Sequence, residues 1–178
     1  MKQEINVHTG EVRVNGDDTI IRTNALGSCV AVVMYDFPHK VGGLAHVMLP
    51  GSSPKNRADN HRLKYTENAI ALQLELMIEC GARIDRIKAV LAGGANVLNK
   101  PNDTICEDNI YSVKQTLAAA AIPVMAEATG GILRRSITLD VKEGSCYYTE
   151  DSSREMLLWI FSEKPQKLAG ETKEVILE

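Results

Sequence analysis

The sequence predicts a single α/β domain of short, mostly antiparallel strands and two main helices. Three observations carry that prediction. The chain has 178 residues, 44% hydrophobic and 4% aromatic, enough for one sizeable core made of Val, Ile, Leu, Ala and Met. Its first third holds three short runs of β-forming residues broken by turns. Two later stretches repeat apolar residues at helical spacing.

The three early runs are Thr19 to Thr23, Cys29 to Tyr35 and Val41 to Met48, and Asp36 to Lys40, with Pro38 inside it, fits a hairpin connection. Pro50 to Arg62 is polar and reads as a long surface loop, a length that usually serves function. The first helix is expected from about Tyr65 to Cys80, with Ile70, Leu74, Met77 and Ile78 on its apolar face and Gly81 just past its end. Ile87 to Leu91 then reads as a buried strand running into Gly93-Gly94, followed by a polar loop from Asn99 to Thr104. The second helix places Ile110, Val113, Leu117 and Ala121 on one face and Glu107 and Asp108 in its first turn, where the helix dipole favours acids. Further strands are expected at Val124 to Glu127, Ser136 to Val141 and Cys146 to Thr149. Glu155 to Phe161 suits a helix or a strand, and Glu171 to Glu178 suits a final edge strand.

Composition also excludes. A formal net charge of −3 supplies no positive field for nucleic acid. The opening MKQEINVHTG has no apolar signal core, and no stretch approaches the roughly 18 apolar residues of a spanning helix, so a cytoplasmic protein without membrane insertion is expected. Cys29, Cys80, Cys106 and Cys146 form no C-x-x-C pair, which argues against zinc, and in a reducing compartment they are expected as free thiols.

The strongest chemical signal is Leu26-Gly27-Ser28-Cys29-Val30 followed by Gly43-Leu44-Ala45-His46-Val47-Met48-Leu49-Pro50. A cysteine at the mouth of a strand after a Gly-Ser turn can present its sulfur to solvent and its backbone N–H to an oxyanion. It needs a base, and His46 is the candidate. If Tyr35 faces Lys40 across the hairpin, Cys29 faces His46 on one side of the sheet. If Tyr35 faces Val41, His46 turns to the other side and only a bulge, for which Gly42-Gly43 offers a place, restores the contact. Thr23, ending the preceding run, can accept from the imidazole as a neutral orienter. By local pattern alone, a Cys in a Val-rich strand is more often a small buried hydrophobe, and a histidine on an apolar strand a core residue.

LGSCV followed by GGLAHVMLP resembles the signature of the chemoreceptor glutamine deamidase family, CheD. The resemblance runs on through the Tyr65-led helix, the Ala92-Gly93-Gly94-Ala95 turn and the Ala126-Glu127-x-Thr129-Gly130-Gly131 segment with Arg135, covering roughly residues 10–141. It implies catalytic roles for Cys29, His46 and Thr23, a layered α/β sandwich over a single domain of residues 1–178, and no metal or organic cofactor. It implies substrates in the helical cytoplasmic regions of methyl-accepting chemotaxis receptors, with a CheC-type phosphatase as a further partner. Ser28, Gly93, Gly94, Gly130 and Gly131 are candidate substrate-binding residues, although glycines after strands are first of all turn formers. The basic residues Lys55, Arg57, Arg62 and Lys64 are candidates for meeting an acidic receptor surface.

The chain departs from the family pattern in two places. It has Ile105-Cys106-Glu107-Asp108-Asn109 where Ile-Gly-x-Arg-Asn is typical, and Ile132-Leu133-Arg134-Arg135 lacks a second glycine. Residues 151–178 lie outside the resemblance, as an extension. The competing readings are another cysteine amidase or peptidase, and a non-catalytic module that binds receptors or a phosphatase.

Overall fold

A computed structural model describes residues 2–16, 18–55 and 59–162. Among the described residues, ten strands form two five-stranded sheets. In chain order the strands are β1 (Gln3–Asn6), β2 (Val12–Gly16), β3 (Thr19–Leu26), β4 (Val30–Asp36), β5 (Val41–Val47), β6 (Lys88–Gly93), β7 (Val124–Thr129), β8 (Arg135–Asp140), β9 (Ser145–Glu150) and β10 (Met156–Ile160); the helices are α1 (Thr66–Glu79) and α2 (Ile105–Ala119). One sheet has the order β1-β3-β8-β9-β10 and the other β2-β5-β4-β6-β7. Among the described strands, only β1/β3 and β6/β7 pair in parallel. The expected mostly antiparallel α/β sandwich with two main helices is what the chain forms.

The molecule has three layers, and β4 lies at the centre of the middle one. Its alternate side chains serve two cores, as the two-residue period of a strand requires. Val30, Val32 and Met34 pack toward the helices with Ala69, Ile70, Met77, Val113 and Leu117. Ala31, Val33 and Tyr35 pack toward the other sheet with Ile21, Ile137, Leu139 and Phe161. Every residue of β4 and β5 is therefore buried.

Helix α1 starts and stops where its residues dictate. Tyr65 is extended at the N-cap, the Thr66 N–H donates to Leu49 O at 3.0 Å, and Glu67 occupies the first turn. At the other end Gly81, at φ +96°, lets its N–H reach Ile78 O and the Ala82 N–H reach Met77 O, both at 2.9 Å. The buried face is Thr66, Ala69, Ile70, Gln73 and Met77, whereas Ile78 is half exposed. Gln73 takes a core position because its amide donates to Val32 O at 3.1 Å. Helix α2 ends in the same motif, with Ala121 at φ +57° where glycine usually stands, so Ala121 lies past the helix rather than on its apolar face.

The expected surface loop from Pro50 to Arg62 runs into a 3-10 turn over Asp59–Lys64, and Glu155 to Phe161 resolves as the strand β10 paired with β9. The expected extension beyond 151 thus begins as an integral strand. Glu171 to Glu178 lies outside the described residues.

Candidate active site

Three segments converge in the layer between the two sheets. Thr23 comes from β3 in one sheet, His46 from β5 in the other, and Cys29 from the turn that joins β3 to β4. Between Thr23 and Leu26 the β3/β8 register slips by one residue, and Ala25 adopts φ +61°. Such a bulge bends a strand and re-aims the chain beyond it. Here it leads from one sheet into the Gly27–Cys29 turn and on into the other.

The hairpin follows neither expected register. Tyr35 pairs with Gly42 and Asp36 with Val41, so residues 37–40 make the connection. Relative to the arrangement with Tyr35 opposite Lys40, the slip is two residues, and an even slip preserves the face. Ala31 lies opposite His46, and Cys29 is one pleat further along on the same side, a diagonal neighbour at about 7 Å in a regular sheet. No bulge forms at Gly42-Gly43, because pairing is regular from Val41 to Val47. Those glycines answer to packing instead: a Cβ at Gly42 would lie 2.7 Å from a Leu139 methyl, and one at Gly43 2.7 Å from a Val14 methyl.

The hydrogen bonds decide the state of the imidazole. Thr23 Oγ1 lies 2.6 Å from Val7 O and 2.8 Å from His46 Nδ1. A carbonyl can only accept, so the Thr23 proton goes to Val7 and the hydroxyl oxygen accepts from Nδ1–H. That leaves Nε2 as the nitrogen without a proton, the tautomer that the network dictates. His46 is buried, and burial holds its imidazole below the ordinary value; His8 adds to the depression, while the Val7 carbonyl and Glu11 oppose it. Burial also pushes the Cys29 thiol up, with Cys106 adding to the rise. Both shifts favour the neutral thiol and the neutral imidazole, and among the described residues no hydrogen bond joins the two.

The Cys29 turn is held from behind. Gly27 O accepts from the Ala95 N–H at 2.8 Å, Cys29 O from the Gly94 N–H at 2.8 Å, and Ser28 O from Asn109 Nδ2 at 2.9 Å. Asn109, fully buried on α2, donates also to Met48 O at 3.0 Å and so ties the cysteine turn to the end of the histidine strand. Gly93 is at φ +106°, and a Cβ there would sit 2.3 Å from Cys29 O. The Gly130 N–H donates to Gly93 O at 3.0 Å, and Gly131 O accepts from the Asn96 N–H at 2.8 Å. The N–H groups of Gly94 and Gly130, expected as cleft donors, are thus spent on binding loops to one another. Arg135 is engaged with Glu150 at 2.8 Å and with Gly130 O at 2.6 Å.

Cys29 is partly exposed and lines a cavity of about 400 Å³ together with Ser28, Asn96, Leu98, Cys106 and Arg134, among others. Of the basic residues expected near the cleft, Arg62 lines a separate depression, Lys55 and Lys64 do not line this cavity, and Arg57 lies outside the described residues. Lys100 and Arg134 are the cations on its wall. The sequence alone gives no role to Thr9, whose Oγ1 lies 3.4 Å from His46 Nε2, to Asn109 or to Cys106. Cys106 falls where the chain departs from the family pattern, Asn109 keeps to it, and the Thr9-Gly10 turn is a fainter signal.

The model of a family described as CheD chemotactic sensory transduction matches residues 48–150. A chemoreceptor glutamine deamidase CheD of Bacillus subtilis is 37% identical over 142 residues, 78% of this chain and 86% of its own length. The chain belongs to the CheD family. A probable chemoreceptor glutamine deamidase CheD of Methanococcus maripaludis is 39% identical over 79% of this chain and 91% of its own. A further one, of Chlorobium luteolum, is 36% identical over 85% and 75%. The CheD model match begins just after His46 and ends just before β10, so it takes in both helices and the turns that brace Cys29. Both stretches in which the sequence departs from the pattern expected of the family reach the Cys29 cavity, through Cys106 in one and Arg134 in the other.

Proposed function

We propose that this chain is a chemoreceptor glutamine deamidase, a cytoplasmic single-domain amidohydrolase. It hydrolyses side-chain amides of glutamines in methyl-accepting chemotaxis receptors to glutamate, with Cys29 as nucleophile, His46 as base and Thr23 as orienter. Family membership supports the substrate class. The observation that carries the chemistry is the Thr23–His46 bond at 2.8 Å, which leaves Nε2 without a proton on an imidazole that shares one side of the sheet with Cys29.

In the forward step Nε2 takes the thiol proton, and sulfur attacks the carboxamide carbon. The tetrahedral oxyanion receives the backbone N–H of Cys29, in a turn shaped by Ser28. The imidazolium returns the proton to the departing nitrogen, ammonia leaves, and a thioester remains. His46 then deprotonates water, which attacks the thioester and releases glutamate and the thiol. No step calls on a metal or an organic cofactor.

The receptor helix meets the cavity beside Cys29, where Leu98 is 71% exposed and Lys100 and Arg134 offer positive charge to an acidic helix. A CheC-type phosphatase is the further partner. Mass spectrometry of a receptor cytoplasmic fragment incubated with wild-type or Cys29→Ala protein tests the reading. The expected result is an amide-to-acid mass change with wild type alone; conversion that persists with Cys29→Ala, or cleavage of the fragment backbone, overturns it.

A further inference from the structure

The second nitrogen of His46 is occupied as well. Thr9 Oγ1 lies 3.4 Å from Nε2, the nitrogen that must take the proton of Cys29 once Nδ1–H is committed to Thr23. Thr9 is brought there by a built turn. The Glu11 N–H donates to His8 O at 3.0 Å, and Gly10 takes the left-handed third position at φ +76°. The turn is pinned on His46 itself, whose carbonyl accepts from the Gly10 N–H at 2.9 Å and whose N–H donates to Glu11 O at 3.0 Å.

We propose that Thr9 is a positioning residue that caps the free nitrogen of the His46 imidazole and must release it before Cys29 can be activated. Since Nε2 bears no proton, the Thr9 hydroxyl is the donor in this contact. One lone pair cannot serve the threonine hydroxyl and the thiol together, so the two donors compete. Thr9 lies on the exposed turn, so its hydroxyl can turn to water at little cost and the cap acts as a release latch. It keeps an idle nucleophile protonated and gives way when a substrate closes over the site. The inference rests on His46 being the base, and the experiment separates failure of one idea from failure of the other.

The test is the rate of iodoacetamide alkylation at Cys29 in the full chain near neutral pH, read by peptide mass so that the exposed Cys80 does not interfere. Thr9→Val and Thr9→Ala, which both lack the hydroxyl, are expected to accelerate Cys29 alkylation by about 2- to 10-fold, the worth of one released hydrogen bond. Thr9→Ser should react at the wild-type rate, and His46→Ala more slowly. Acceleration with an unchanged urea-unfolding midpoint is the signature, since loosening of the site would also speed alkylation of the partly buried Cys29. Unchanged or slower alkylation in Thr9→Val and Thr9→Ala, or a fast Thr9→Ser, overturns the latch. If His46→Ala leaves the rate untouched, the base assignment falls and takes the latch with it.

Discussion

Thr23 is a neutral partner for an imidazole, so the ring it orients gains less from becoming charged than it would beside a carboxylate. Thr23→Val keeps the shape but leaves Val7 O and His46 Nδ1–H without their shared hydroxyl. It is expected to lower kcat about 10²-fold with little change in KM, in a steady-state assay of receptor deamidation. The directions of the two pKa shifts set the pH dependence. His46 is depressed, so it stays a competent base below the ordinary imidazole range; Cys29 is raised, so its proton is retained above the ordinary thiol range. The profile of kcat/KM should therefore be a broad bell, with its acid limb displaced downward and its alkaline limb upward, checked against free imidazole and thiol titrated in the same buffers. At this scale the candidate pair Cys29 and His46 stands out in the sequence because each lies in a motif of contiguous residues. Thr9 does not, since its relevance depends on a turn folded back onto β5 from far along the chain.

The elements around the site act as braces, and α2 shows how. Asn109 spans from the helix to two carbonyls of two motifs, at Ser28 and Met48. Asn109→Leu fills the same space without donors and should destabilise the fold by about 2 kcal/mol, measured by urea unfolding, because its acceptors lose their partner. Deamidation should fall further than that loss accounts for, since the Cys29 turn is freed. Helix α1 is readable to within a residue from its apolar spacing, with Gly81 marking its end, whereas α2 stops two residues short of Ala121, expected on its face. Registers were not readable: the four-residue connection began at Phe37 rather than Asp36. One position at the turn moves a cross-strand pairing by two, which nothing in the alternation of a fully buried strand resists.

Across the whole molecule, what could be read divides by burial. The central strands β3, β4, β5 and β6 show as apolar runs, whereas β1, β2 and β10 were missed or left open, and all three are sheet edges. An edge strand buries little, as in Gln3–Asn6, so its residues carry little pattern. β10 matters nonetheless, because the chain that leaves it covers the far end of the core. Phe161 is 1% exposed and its ring centroid lies 5.0 Å from that of Tyr35. Phe161→Ala should cost about 3 to 4 kcal/mol in chemical denaturation. It should leave kcat near wild type, since Tyr35 stands six strand positions from Cys29, about 20 Å away.

The three carbonyls of the Gly27–Cys29 turn all bond backward, to Ala95, Asn109 and Gly94. In a trans peptide the N–H points opposite to the C=O of the same unit, so the amides of Ser28 and Cys29 are aimed away from the braces. Under the proposed mechanism, the dipoles that greet the oxyanion are oriented by the folding of the chain, before any glutamine arrives. The incoming amide then meets a preorganised charge template, and its binding energy is free to drive the bond change.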